Sequence, residues 1–209
     1  MPERAPAKLV IVDRDGTLNE PRDDHVKTPE EWAPLPGALE AIARLNQAGW
    51  HVVIATNQSG LGRGLLDMSS LNAVHQVMNA RLAQLGGRID AIFFCPHAPE
   101  DQCRCRKPLT GLFEDIAERM GVDLDEVHAV GDNIRHLQAA QSAGCRTHLV
   151  RTGRSAGLDE TGVSALLAQA GDGAAPIRVH DDLAAFAEHL LGAERKRLQD
   201  ARRPPAPNA

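Results

Sequence analysis

The chain of 209 residues contains no tyrosine, and aromatic residues make up only 3% of it. Stacking of bases on aromatic side chains is therefore disfavoured as a way of binding single-stranded nucleic acid. The net charge is −5 rather than positive, which argues against general binding to nucleic acid or to anionic membranes. No apolar run approaches the ~18 residues of a membrane span, and the first residues lack the apolar core of a secretory signal. We expect a cytoplasmic protein without nucleic-acid or membrane partners.

Cysteine is also scarce, and its spacing is informative. Three of the four cysteines fall within eleven residues, which is unsuited to a disulfide framework and favours a metal site. Cys95, His97, Cys103 and Cys105 form the pattern C-x-H-x5-C-x-C. Three thiolates and one imidazole make the closed tetrahedral shell of structural zinc, which has no open position for catalysis. The alternative is a cluster of free, partly exposed thiols. Cys145 lies apart and is expected to be a small buried hydrophobe.

Short apolar segments alternate with amphipathic stretches along most of the chain. Predicted strands lie at 8–13, 50–56, 89–95, 127–130, 146–150 and 177–180. Predicted helices lie at 37–48, from Ser69 or Ser70 as cap to 85, and at 109–120, 134–142, 161–170 and 181–191. Continuously apolar strands separated by helices predict an α/β fold with a doubly wound, mostly parallel sheet. We expect one domain over residues 1–192, and a disordered tail over 193–209, which is charged and then proline-rich.

Polar residues follow the predicted strands, and ligands bind beyond the carboxyl ends of such strands. Asp13 and Asp15 come directly after the first strand and are followed by glycine. One side chain and one backbone carbonyl from this segment could bind Mg²⁺, which prefers oxygen ligands. A carboxylate beside Mg²⁺ can attack phosphorus, and a second carboxylate can act as general acid and base. The alternative is an acidic turn, because Asp-Gly is common in turns.

Three further segments carry groups suited to a phosphate site, two of them directly after predicted strands and one after the cysteine loop. Thr56 to Gly60 offers hydroxyl, amide and backbone N–H donors to a phosphate, and Lys107 offers a positive charge. Gly131-Asp132 could supply a further carboxylate to a metal. Each segment alone is explained equally well as a turn or a solvated side chain. Together with the segment of Asp13 and Asp15, all four in this order at strand ends are much harder to explain as turns.

With these segments, residues 8–153 resemble the haloacid dehalogenase superfamily of aspartate-nucleophile phosphotransferases. The resemblance implies that Asp13 is the nucleophile, that Asp15 is the general acid and base, and that Asp13, the Asp15 carbonyl and Asp132 hold Mg²⁺. It also implies that Thr56, Asn57 and Lys107 bind the transferring phosphate.

One position departs from the superfamily pattern. The family often has a second acidic residue four positions after Asp132, where this sequence has His136. We expect a weaker Mg²⁺ affinity rather than lost activity. The alternative is a histidine on the helix surface.

The cysteine loop before Lys107 narrows the resemblance to the zinc-containing, histidinol-phosphatase-like branch of the superfamily. That branch implies a Rossmann-like domain without a large cap, with zinc fixing an inserted loop at 95–105. It implies a phosphatase that removes the C7 phosphate of a heptose 1,7-bisphosphate. No pattern in the sequence encodes an oligomeric state, and we expect a monomer from the length of the chain. The alternatives are histidinol phosphate as substrate, or a non-catalytic, zinc-stabilised phosphate-binding module. Further candidate substrate-binding residues are Thr17, Asn19, Gln58, Ser59, Arg63 and Arg106.

Overall fold

A six-stranded, wholly parallel sheet forms the centre of the molecule. The computed structural model describes residues 8–171 and 175–201. The strands are β1 Leu9–Val12, β2 His51–Asn57, β3 Ala91–Cys95, β4 His128–Gly131, β5 Arg146–Val150 and β6 Arg178–His180, in the spatial order β3-β2-β1-β4-β5-β6. From β1 the chain adds β2 and β3 on one side of the sheet and then β4, β5 and β6 on the other side. This is the strand order of a doubly wound sheet, so the predicted α/β fold class is confirmed.

Helices cover both faces of this sheet. They are α1 Ala38–Gln47, α2 Met68–Gln84, α3 Gly111–Met120, α4 Ile134–Ser142, α5 Glu160–Ala168 and α6 Leu183–Ala201. Alternate residues of β1 enter different cores, because successive side chains of a strand point to opposite faces. Val10 and Val12 pack with α1, α2 and α6, whereas Leu9 and Ile11 pack with α3 and α4. This explains why the strand is apolar at every position.

At two of the boundaries that differ from the sequence-based prediction, local hydrogen bonding overrides the apolar pattern. Helix α2 is capped by Asp67, whose carboxylate accepts a hydrogen bond of 2.7 Å from the Ser70 backbone N–H. The predicted cap at Ser69 or Ser70 is therefore wrong, and both serines lie inside the first turn. Strand β3 begins at Ala91, since the Asp90 carboxylate already accepts the Val52 backbone N–H at 2.9 Å.

The last helix extends past residue 193, where the tail was predicted to begin. Helix α6 continues to Ala201 through residues with high helix propensity. Glu194 accepts a hydrogen bond of 3.1 Å from Trp50 Nε1 and forms an ion pair with Lys8. The middle of the helix is therefore attached to the residues that directly precede β1 and β2. The rest of the predicted tail, 202–209, lies outside the described residues.

The strand order decides which loops meet. Strand β1 lies between β2 and β4, so the segments after these three strands converge at one edge of the sheet. In the described part of the chain, no helix combines the length and apolar character needed to cross a membrane.

Candidate active site

Two buried carboxylates face one another at the edge of the sheet where the segments after β1, β2 and β4 converge. Asp13 follows β1 and Asp132 follows β4, and they are only 4% and 0% exposed. The Asn133 side-chain amide donates to both, at 2.8 Å to Asp13 Oδ2 and 2.9 Å to Asp132 Oδ1. Burial and the neighbouring Asp13 charge raise the pKa of Asp132 to about 6. A pair of buried anions held this close is a fitting site for a divalent cation with oxygen ligands.

Two glycines allow the backbone to approach Asp132. Gly16 and Gly153 have φ angles of +86° and +52°, and a Cβ at either position would overlap Asp132 Oδ2. The approach brings the peptide after Asp15 against the carboxylate. The Arg154 backbone N–H donates to Asp132 Oδ2 at 2.7 Å, and the Ser155 hydroxyl bonds the Asp132 carbonyl. Asp132 is therefore held in one orientation by three segments of the chain.

Lys107 forms the positive side of the site. Its Nζ lies 2.8 Å from Asp13 Oδ1 and donates to the Ala55 carbonyl at 2.7 Å. Burial favours the neutral form of Asp13, but the Lys107 ammonium, together with the hydrogen bond from Asn133, outweighs it and holds the pKa of Asp13 below its ordinary value. Asp13 is therefore an ionised carboxylate, which is the form a nucleophile needs.

Asp15 is held by a buried arginine that the sequence interpretation missed. Arg14 is completely buried, and its Nη2 donates to both Asp15 oxygens at 3.0 Å. Its Nη1 lies 3.1 Å from His75 Nε2. Because a guanidinium has only donors, this nitrogen of His75 must be the acceptor. Burial and Arg14 lower the pKa of His75 to about 4, which agrees with a neutral ring.

Polar side chains from two loops complete the setting of Asp15. Asn19 Nδ2 donates to Asp15 Oδ1 at 3.0 Å, and Gln58 Nε2 donates to Asp15 Oδ2 at 2.9 Å. Gln58 Nε2 also bonds Thr56 Oγ1 at 2.9 Å. Asn19, Gln58 and Thr56, three of the predicted substrate-binding residues, therefore lie in one hydrogen-bond network with the second aspartate.

The other predicted substrate-binding residues do not all face the two carboxylates. Thr17 Oγ1 lies 3.5 Å from Asp132 Oδ1, and Ser59 is buried beside Gln58. The Asn57 side-chain amide accepts a hydrogen bond of 3.1 Å from the Lys107 backbone N–H and donates one of 3.0 Å to the Lys107 carbonyl. Its side chain therefore positions the lysine segment rather than facing the carboxylates.

Two arginines were also predicted to bind substrate. Arg63 is exposed in its loop, and Arg106 is half-buried with a 3.4 Å hydrogen bond to the His97 carbonyl. Arg106 has cationic neighbours, since burial and the charges of Arg154 and Arg106 lower the pKa of Arg135. A group of positive side chains thus lies beside the anionic centre.

The predicted zinc ligands form one cluster. The ligand atoms of Cys95, His97, Cys103 and Cys105 all lie within 4.8 Å of one another. Cys95 Sγ is 3.6 Å from Cys103 Sγ, and His97 Nδ1 is 3.2 Å from Cys105 Sγ. Burial and the adjacent thiols raise the pKa of Cys95 to about 12, so the thiolate would need a cation beside it. This set fits zinc.

The cluster is connected to the carboxylate site. The Cys95 carbonyl accepts the Gln58 backbone N–H at 2.8 Å, and the Pro96 carbonyl accepts that of Gly62 at 2.8 Å. A Cβ on Gly62 would lie only 2.7 Å from the Ala98 nitrogen. The two loops therefore pack closely, and the cysteine loop supports the segment that carries Gln58.

His136 does not lie on the helix surface, so the alternative interpretation of this position as a surface histidine is wrong. It is completely buried, with Nδ1 lying 3.0 Å from Lys107 Nζ and 3.6 Å from Asp13 Oδ2. Burial and Lys107 lower its pKa to about 3.

Sequence spacing could have indicated the burial of His75, which shares an inward helix face with Leu71 and Met78. No comparable signal marked Arg14 or Asn133.

Comparisons with known proteins agree with this geometry. A family profile described as haloacid dehalogenase-like hydrolase matches residues 18–144, and a second HAD-like hydrolase profile matches 104–185. The chain is 56% identical over 186 residues to the D-glycero-beta-D-manno-heptose-1,7-bisphosphate 7-phosphatase of Bordetella bronchiseptica, covering 88% of this chain and 98% of the relative. It is 45% identical to the enzyme of that name from Pseudomonas aeruginosa, covering 88% and 97%.

Solved structures give the same result. A crystal structure of D,D-heptose 1,7-bisphosphate phosphatase from B. bronchiseptica, complexed with magnesium and phosphate, superposes with a TM-score of 0.81 at 54% identity, covering 88% of this chain and 98% of that one. The corresponding phosphatase from Burkholderia thailandensis gives a TM-score of 0.65 at 45% identity, covering 88% and 97%.

Proposed function

Since the chain belongs to the haloacid dehalogenase-like hydrolase family, we propose that it is a Mg²⁺-dependent phosphatase acting through an aspartyl-phosphate on Asp13. The observation that supports this most directly is the ionised Asp13 carboxylate, which is in contact with Lys107 and Asn133 and faces Asp132. A binding module would have no need of a nucleophile next to an acid and base.

In the first half of the reaction, an oxygen of Asp13 attacks phosphorus and the bond from phosphorus to the sugar oxygen breaks. Asp15, in its protonated form, gives its proton to the departing oxygen. In the second half, Asp15 takes a proton from water, the water oxygen attacks phosphorus, and the bond to Asp13 breaks with release of phosphate. The hydrogen bonds from Arg14, Asn19 and Gln58 fix the position of the Asp15 carboxylate.

Lys107 lies where charge develops on the phosphoryl oxygens, so it would stabilise the transition state. Asp13, the Asp15 carbonyl and Asp132 would hold Mg²⁺, which supplies charge neutralisation between the phosphoryl group and the carboxylates. The close approach of Gly16 and Gly153 to Asp132 brings these ligands together.

We propose D-glycero-β-D-manno-heptose 1,7-bisphosphate as the substrate, with the C7 phosphate removed. Support comes from the relatives of that name, at 56% and 45% identity along nearly their whole length. A bisphosphate also needs positive charge beyond the reacting phosphate, and Arg106 and Arg154 both lie close enough to Arg135 to lower its pKa. Arg106 is our candidate for contact with the sugar or its second phosphate, with Thr17 and Ser59 lining the pocket.

We propose that zinc fills the Cys95, His97, Cys103 and Cys105 cluster and has a structural role. The four ligands leave no open position for water or substrate. Its effect on the reaction would be indirect, through the loop that carries Gln58 and through Arg106, which directly follows Cys105. A cytoplasmic location and a monomeric state stay predictions.

The experiment that tests the function measures Mg²⁺-dependent phosphate release from both anomers of heptose 1,7-bisphosphate and from histidinol phosphate. Asp13→Asn is the control for contaminating phosphatases. A kcat/KM for the β anomer ~100-fold above the others would correspond to ~2.7 kcal/mol of transition-state discrimination. Preferred turnover of histidinol phosphate would refute the substrate, and no turnover with both metals bound would refute the enzyme.

A further inference from the structure

Three fixed acceptors surround the Lys107 ammonium. Nζ lies 2.7 Å from the Ala55 carbonyl, 2.8 Å from Asp13 Oδ1 and 3.0 Å from His136 Nδ1. A lysine ammonium has three N–H donors and no acceptor, so each N–H has one of these partners. Lys107 is only 2% exposed. The rotation of the ammonium is therefore set by three protein atoms.

The same contact identifies the state of the histidine. Because Lys107 Nζ only donates, His136 Nδ1 is assigned as the acceptor, which leaves the ring neutral and places its proton on Nε2, an atom with no hydrogen-bond partner among the described residues. The ring is held by its packing, with an edge-to-face contact to Phe113 at 5.4 Å between centroids. Gly131 lies directly against it, since a Cβ there would be 2.8 Å from the ring. His136 cannot rotate away from the lysine without repacking this core.

We propose that His136 is a positioning residue for phosphoryl transfer. As a neutral acceptor, it fixes the ammonium rotor together with the Ala55 carbonyl, so that the remaining N–H of Lys107 points at Asp13, where the phosphoryl group is bound. The inference rests on the proposed function of Asp13. An anionic acceptor at this position would share the lysine charge and would add a third anion near Asp13 and Asp132. Because the ring is neutral, the lysine charge interacts mainly with Asp13 and with the phosphoryl oxygens.

Three substitutions at His136 distinguish the effect of a hydrogen-bond acceptor from the effect of its charge and from the effect of packing. His136→Asn keeps a neutral acceptor, because Asn Oδ1 occupies the same position along the side chain as His Nδ1. His136→Asp has the same size as Asn but carries a negative charge. His136→Leu fills space without any acceptor and leaves a buried N–H of Lys107 without its partner. The Asn and Asp variants form the matched pair, and thermal unfolding of each variant establishes that it folds.

The readouts are hydrolysis of p-nitrophenyl phosphate and calorimetric binding of inorganic phosphate, both at saturating Mg²⁺. We expect His136→Leu to lower kcat about 10- to 100-fold, since an unpaired buried donor is costly, and to weaken phosphate binding. His136→Asn restores most of both losses. His136→Asp weakens phosphate binding relative to His136→Asn, because the added anion repels the phosphate and draws the lysine charge.

Equal losses in the Leu and Asn variants would overturn the proposal, since they would show a packing role alone. Phosphate binding in His136→Asp equal to or tighter than in His136→Asn would overturn it as well. The generic substrate separates this test from the proposed function. If the parent protein hydrolyses p-nitrophenyl phosphate but not heptose bisphosphate, the substrate proposal fails while the ranking of the His136 variants still decides this one. Phosphate binding gives that ranking without turnover.

Discussion

The buried carboxylate of Asp132 should make the metal-free protein less stable at high pH, and replacing it with asparagine should reverse this. Its pKa is raised from 3.8 to about 6 by burial and by Asp13. A carboxyl group with a raised pKa binds protons more tightly when folded, so the folded protein loses relative stability as the pH rises from 3.8 through 6. A shift of this size corresponds to ~3 kcal/mol at pH 8.

Asparagine removes this charge but also weakens the hydrogen bonding of Asp132. The carboxylate accepts the Arg154 N–H at 2.7 Å and the Asn133 amide at 2.9 Å, and the replacement amide offers only one acceptor oxygen. A lost hydrogen bond costs ~1 kcal/mol. In a chelator at pH 8, Asp132→Asn should therefore be more stable than the parent by a net ~2 kcal/mol. At pH 4 the carboxyl is almost fully protonated in the folded state and partly protonated in the unfolded chain, so its destabilising contribution falls below ~1 kcal/mol and this advantage should disappear.

Magnesium should reverse the order. A ligand present at 100 times its Kd stabilises the folded state by ~2.7 kcal/mol. Only the parent has the Asp132 carboxylate to bind the ion, so at pH 8 with Mg²⁺ the parent should become the more stable protein. The assay is urea unfolding at pH 4 and 8, with chelator and with Mg²⁺. Asp23→Asn, at an exposed aspartate, controls for the loss of one negative charge. A metal-free Asp132→Asn protein less stable than the parent at pH 8 would refute the reasoning.

Three further substitutions test individual groups. Asp13→Asn should abolish turnover without loss of secondary structure by circular dichroism, because it removes the nucleophile but little volume; normal turnover would exclude the covalent mechanism. Asp15→Asn should lower kcat ~10²- to 10⁴-fold, the usual effect of losing an acid and base, and a smaller effect would assign proton transfer elsewhere. Cys103→Ser should lower the melting temperature and the zinc content together, since structural zinc contributes folding free energy. An unchanged melting curve with lost activity would instead indicate a catalytic zinc.

Local sequence patterns were sufficient for the sheet and for the outline of the site. The apolar strands ending in Asp13, Thr56 and Gly131 predict which residues meet, because parallel strands share one carboxyl edge. The cysteine loop could also be predicted, since Cys95 to Cys105 are close enough in sequence for their spacing to restrict the ligand geometry. These features depend on chain periodicity or on short loops, and both are visible in a single sequence.

The side chains that set the state of these groups were decided only by the tertiary structure. Arg14 resembles a solvated charge in the sequence, yet it is buried between Asp15 and His75, which is 61 residues away. His136 is 29 residues from Lys107 and still fixes its ammonium. Hydrogen bonds of this kind join segments that are distant in sequence, and their free energy depends on burial that no local pattern encodes. The sequence alone thus indicates the candidate nucleophile, the candidate acid and the ligand types, whereas packing determines their orientation and charge.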